Sequence, residues 1–248
     1  RGDVASVAIQ YGSLPSMLSV GKVPLAIEQH AALLQAINDV LAQRDPDHRP
    51  RVVLYGESLG AQTSQGGFVG GGTEILDELR IDRGLWAGTP YASKWRKELF
   101  KGGPTIDDTL FGRFATIDEY RALPDDERGT IRFFFLDHHE DPVTRFGLDV
   151  AYQEPTWLGP PDQRPPNVSR SQRWVPAVTF WQTAIDTKNA ATVVPGAFKA
   201  LGHDYRADLA EFVSTAYALT DVSADQMASI EARLRESEIV RAAKIAEG

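Results

Sequence analysis

The chain has no cysteine among its 248 residues. Disulfides, thiolate nucleophiles and Cys-ligated zinc are therefore excluded. The compartment stays open, because a chain without thiols suits either side of a membrane. No apolar run approaches the roughly 18 residues of a membrane-spanning helix, and no signal peptide is visible. Long blocks of like charge are missing too, so no segment reads as an interaction tail. Basic residues are in deficit, with 26 Lys and Arg against 34 Asp and Glu for a net charge of -8. That argues against a nucleic-acid partner, since phosphate binding draws on clustered cations. The chain also does not open on Met. It starts at Arg1 and runs almost at once into an apolar stretch, which leads us to expect a processed product or an excised piece.

What is present fits one globular domain. Hydrophobic residues make up 42% and charged residues 24%, and the length suffices for a sizeable core. Residues 4–11 are apolar and rich in β-branched side chains and read as a buried strand, broken by "GSLPS" at 12–16. Pro24 opens a helix at a favoured first-turn position, and Ile27, His30, Leu34, Ile37 and Leu41 follow on one face. A second strand is expected at 52–55, then a short helix that "GGFVGGG" at 66–72 should end, because glycine disfavours helix by about 1 kcal/mol per residue. This glycine-rich stretch reads as a flexible connector, with a mobile rim over the site as the alternative. Helical turns at 74–80, a strand at 85–87, helices at 93–100 and 116–122, and a strong strand at 131–136 ("IRFFFL") come next. Residues 154–167 are proline-rich and read as irregular surface. Helices are expected at 175–189 and 207–219, and Ser223 and Gln226 fit a capping box opening a last helix with Met227, Ile230 and Leu234 on one face. Strands alternating with helices predict an α/β fold with a mostly parallel sheet and helices on both faces.

In such sheets chemistry gathers at the carboxyl ends of the strands. "YGESLG" places Ser58 there, inside the G-x-S-x-G of Gly56 to Gly60. The two glycines are expected to remove side chains that would collide in a tight strand-to-helix turn. That turn would present the Leu59 backbone N–H to an oxyanion near the positive end of the helix. The pattern alone is weak, and a plain glycine-flanked turn serine is the competing reading. A serine nucleophile needs a base and an orienting carboxylate. His203, in a loop before a late helix, is the preferred base. His30 reads as a satisfied core histidine and His48 as solvated. His138 and His139 precede the acid and break the Ser, Asp, His order; with Glu140 and Asp141 they raise the alternative of a metal site. Asp141 is the preferred acid because Asp-Pro favours a turn, with Asp137, Glu140 and Asp149 as alternatives. Glu57 reads as a surface carboxylate. Neither cofactor nor metal is required by this chemistry, and none is expected.

Taken together and in order, "DVASVAIQYGSLPSMLS", "YGESLG", "GLWAGTP", "LDHHEDPV", "RWVPAVTFWQTAID" and "GHDYR" resemble an actinobacterial family of membrane-anchored α/β-hydrolases. There a serine-hydrolase domain follows a hydrophobic N-terminal membrane region. The resemblance covers roughly residues 1–220, leaving the last helix, 223–248, outside it within a single catalytic domain of 1–248. It implies Ser58 as nucleophile, Asp141 as acid and His203 as base, in a soluble domain tied to a membrane. "QGGFVGGG" and "YGSLPS" depart from the family pattern, and both bear on the shape of the site entrance. The fold it implies has a strand between those matching 4–11 and 52–55. That strand and its loop would also supply the second oxyanion donor. The sequence contains no such strand, so an N-terminal fragment or membrane region of the same protein is expected to provide it. A small acyl ester or lipid is the expected substrate. The same triad would serve an acyltransferase or a serine peptidase, and a non-catalytic ligand-binding domain is the alternative of another class.

Overall fold

The structure is a computed structural model that describes residues 4–12, 19–165, 167–190 and 192–247. Four strands form one parallel sheet: β1 (Val52–Glu57), β2 (Ile81–Ala87), β3 (Phe111–Phe114) and β4 (Phe133–Leu136), in the order β1-β2-β4-β3. Parallel neighbours require crossovers. These are α2 (Leu59–Gly66) and α3 (Glu74–Glu78) after β1, α4 (Lys94–Lys101) after β2, and α5 (Ile117–Arg121) with α6 (Asp125–Thr130) after β3. The long α1 (Val23–Ala42) precedes the sheet, while α7 (Val178–Asn189), α8 (Leu209–Ala216) and α9 (Ala224–Glu247) follow it.

The period-2 alternation of a strand sorts β4 into two cores. Phe133 and Phe135 pack with Trp86 of β2 and with Leu34, Ala61, Leu76 and Trp95, so α1 to α4 cover one face. Phe134 and Leu136 pack with Leu85, Ile117, Phe212 and Ala216, so α5 and α8 cover the other. All four β4 side chains are fully buried, and burying each apolar side chain contributes roughly 1.5–3 kcal/mol. A continuous apolar run with no polar alternation, which "FFFL" is, is what a strand covered on both faces requires.

Two sequence expectations are corrected here. Residues 4–12 form no strand, and Val4 and Val7 are 84% and 61% exposed. β-branched composition favours a strand only where a neighbour accepts its backbone bonds and a core covers its side chains, and among the described residues neither is found for this segment. Residues 13–16 of the expected break lie outside the described residues. Among the described residues β1 pairs with β2 alone, and its Tyr55 side chain is 45% exposed. The glycine-rich stretch is the second correction. Phe68 is fully buried in the first core, and a Cβ on Gly66 would overlap the Ile27 side chain of α1. Glycine there lets α1 and α2 approach, so this segment is packed rather than a loose connector.

Candidate active site

The strands end in register. Glu57 pairs with Ala87, Ala87 with Leu136, and Leu136 with Phe114. The next residues therefore stand in a row along the sheet's carboxyl end: Ser58, Gly88 and Asp137. Their backbone N–H groups continue the ladder, from Ser58 to the Ala87 carbonyl, Gly88 to that of Leu136 and Asp137 to that of Phe114, each at 2.9 Å.

Ser58 itself turns out of the sheet. Its φ of 54° and ψ of -124° lie where a non-glycine residue is strained by roughly 1–3 kcal/mol. α2 starts at the next residue, and its first α-helical backbone bond runs from Gln62 N–H to the Ser58 carbonyl. The N–H of Leu59 thus opens the helix with no intrahelical acceptor. Gly56 is required by contact, because a Cβ there would lie 2.7 Å from the Ala61 Cα. Gly60 is not: a Cβ there meets nothing within 4 Å. The expectation that both glycines relieve collisions is corrected to Gly56 alone.

Asp141 is fully buried and accepts three hydrogen bonds. Val143 N–H reaches Oδ1 at 2.8 Å, closing the Asp-Pro turn, while Oδ2 takes His203 Nδ1 at 2.7 Å and the Tyr205 hydroxyl at 2.6 Å. The other three candidate acids are engaged elsewhere. Asp137 is held by Arg96 and Arg113, each at 3.0 Å; Glu140 takes the Gly202 N–H and Asn167; Asp149 takes the Tyr91 hydroxyl.

The His203 loop is also clamped from its other side. His138 Nδ1 meets the Gly202 carbonyl at 2.8 Å and its Nε2 meets Asp208 Oδ2 at 3.1 Å. Both partners only accept, so both bonds form together when the ring is an imidazolium. Glu140 holds the Gly202 N–H at 3.2 Å. Three residues of "HHED", His138, Glu140 and Asp141, therefore grip "GHDY", where the spacing alone pointed to Asp141. His139 goes instead to Glu119 at 2.9 Å, so the adjacent histidines diverge, and among the described residues no group of three metal-ligating side chains gathers. His48 sits exposed beside Asp45, as expected. His30 departs from expectation: its buried Nδ1 has no hydrogen-bond partner among the described residues, and burial holds its ring below the ordinary value.

Two further residues matter that sequence reasoning passed over. Gly88 has φ +59°, and a Cβ there would lie 2.6 Å from both His203 Cε1 and Tyr205 Cε2. Tyr205 stacks on His138 at 4.3 Å and receives the His138 backbone N–H at 3.2 Å. The signal for Gly88 was its place directly after a strand, in "AGTP".

At His203 the surrounding carboxylates work against burial. Burial alone would lower its pKa, but the Asp141 hydrogen bond and charge, helped by Glu57 and Asp137, hold it above the ordinary histidine value. Tyr205 is pushed well above the usual phenol range by burial and by the Asp141 carboxylate, so it stays a donor. Ser58 and His203 share the wall of one cavity of about 1030 Å³, with mostly apolar side chains around them. None of its wall comes from 66–72. The Ser58 hydroxyl makes no hydrogen bond among the described residues. A second cavity, about 770 Å³ in the proline-rich segment, contains neither residue.

A parallel α/β sheet with a strained serine at a strand-to-helix turn defines a class of fold, and comparison with known proteins agrees with it. A family model described as the alpha/beta-hydrolase family matches residues 1–230, and the chain belongs to that family. No curated protein and no solved structure matches it. The family indicates a hydrolase. Among the described residues no helix is long and apolar enough to cross a membrane.

Proposed function

We propose that the chain is a serine hydrolase that cleaves carboxylic esters through an acyl-enzyme. The observation that carries this reading is His203, bonded to the buried Asp141, on the same cavity as a serine at a strained turn. Ser58 Oγ attacks the ester carbonyl while His203 takes its proton. Asp141, bonded to Nδ1, fixes the tautomer that leaves Nε2 free to accept, and stabilises the imidazolium that forms. The Leu59 N–H, at the start of α2, supports the developing oxyanion. The alcohol leaves with the proton from His203, and water activated by the same base releases the acid. This step requires a Ser58–His203 hydrogen bond, a contact that commonly tightens on substrate binding. A lipid or other acyl ester suits the apolar cavity. The resemblance to actinobacterial membrane-anchored hydrolases supports placing the domain beside a membrane, with an N-terminal part of the same protein as its partner.

The test is hydrolysis of p-nitrophenyl butyrate across pH, for wild type, Ser58→Ala and Asp141→Asn. Wild-type kcat/KM is expected to rise with pH as His203 loses its proton, with a midpoint above the ordinary value of about 6.5. Ser58→Ala should lower it by roughly four orders of magnitude. Asp141→Asn should lower the rate and move the midpoint down, because burial then acts on His203 without its carboxylate. Turnover by Ser58→Ala equal to wild type would contradict the reading.

A further inference from the structure

Part of the cavity wall comes from α9. Glu238, Arg241, Ala242 and Ile245 all line it, at the spacings of three and four that mark one helix face. These residues lie beyond 230, where the match to the family ends. The expected face of Met227, Ile230 and Leu234 does not supply this wall.

α9 is fixed against the segment that leads into the His203 loop. Glu238 accepts the Gly196 N–H at 3.0 Å and an ion pair from Arg206, which also grips Asp204 beside His203. Arg235 donates to the Gly196 carbonyl at 2.9 Å and lies over the Phe198 ring at 4.3 Å. Ile239 packs so closely on Gly196 that a Cβ there would come within 2.7 Å. The helix is thus held in a set place relative to the base. The same cavity is lined by Val143, Phe146 and Leu148, which follow Asp141 in the chain, and by Val193.

We infer that α9 is the wall that selects the acyl group, with Ala242 and Ile245 as the specificity-determining side chains, and that the site takes esters of long aliphatic acids. The inference rests on the hydrolase reading above and names its substrate class. A cavity of about 1030 Å³ stands at the top of the range of roughly 300–1,000 Å³ that holds whole drug-sized ligands, far more than an acetyl group fills. Against an apolar wall each buried methylene strengthens binding by roughly fourfold. Ala242 is the small residue in the α9 face, so a long chain has room beside it.

The experiment compares Ala242→Trp with Ala243→Trp in the full chain, using p-nitrophenyl acetate, butyrate, octanoate and laurate. Ala243 is the exposed neighbour on α9 and is absent from the cavity wall, so it carries the same added bulk away from the cavity. Wild type should prefer octanoate or laurate to acetate in kcat/KM. Ala242→Trp should lower octanoate and laurate relative to acetate in kcat/KM by roughly tenfold or more, and Ala243→Trp should keep the wild-type profile. Ala242→Leu, a smaller intrusion, should give an intermediate profile and guards against misfolding of the Trp variant. A wild-type profile that falls from acetate upward, or Ala242 variants with an unshifted profile or a parallel loss on every ester, would overturn the α9 assignment while leaving the hydrolase reading in place. Absence of turnover on every ester, together with no reaction of Ser58 with a fluorophosphonate, would overturn both.

Discussion

A Cβ placed on residue 56 would lie 2.7 Å from the Ala61 Cα, whereas one on residue 60 would meet nothing within 4 Å. Gly56→Ala must therefore push the start of α2 away from β1, and a loss of roughly 1–3 kcal/mol is expected from the overpacking. Gly60 lies inside α2, where alanine favours helix by about 1 kcal/mol, so Gly60→Ala should fold as well as wild type or better. Urea unfolding of the two variants checks this, and equal losses would contradict it. The glycines look alike in G-x-S-x-G, because a sequence gives their spacing and not their neighbours. The same limit hid Gly88 and Tyr205. Each acts through contact with His203 or Asp141, and such contacts exist only once the loop after 200 folds back over the strand ends. Asp141 was easier to single out, since the Asp-Pro turn is local chemistry and the Val143 N–H that closes it lies two residues away.

Between elements, the tie that matters most runs from the segment after β4 to the loop before α8. His138 bonds the Gly202 carbonyl and Asp208 at once. Burial alone would lower its pKa, but Asp208, the Gly202 carbonyl and Glu140 outweigh burial and hold it above the ordinary value. A histidine raised in the folded state adds stability that is fully present below its unfolded value of about 6.5 and is lost as pH rises through its folded value. His138→Gln keeps one donor and loses the other. It should therefore cost about 1–3 kcal/mol near pH 5.5, and the gap to wild type should close as pH rises above the ordinary histidine range. Thermal unfolding of both proteins from acid to alkaline pH measures it; a gap constant with pH would contradict the imidazolium. His203 has the same sign of shift, so the difference between the proteins isolates His138. Elements with a long local signal were legible in the sequence: the α1 face, "FFFL", and the Ser223–Gln226 box, whose two reciprocal bonds form at 2.9 and 3.2 Å. β3 was missed because "FGRF" has only four residues and gains its strand state from β4 alongside. Residues 4–11 failed in the opposite way, with the composition of a strand and no pairing partner among the described residues.

On the scale of the whole molecule, two cores on opposite faces of one sheet bring the ends of β1, β2, β4 and β3 into a single row. The fold class was readable from alternation of strands and helices, and the order Ser, Asp, His could be read along the chain. The cavity could not, since its walls come from the Ser58 turn, the segment after Asp141, the end of α7, the His203 loop and α9. The role of α9 was the least visible part. Its capping box marks where the helix starts, but nothing local says that residues past 230 return to the serine. The central claim is that this assembly activates Ser58, and the most direct measurement is reaction of the protein with a fluorophosphonate followed by mass spectrometry of its peptides. One phosphonyl group is expected, on the peptide containing Ser58, lost in Ser58→Ala and formed far more slowly in His203→Ala. A wild-type protein that stays unmodified, or one modified equally when Ser58 is replaced, would contradict it.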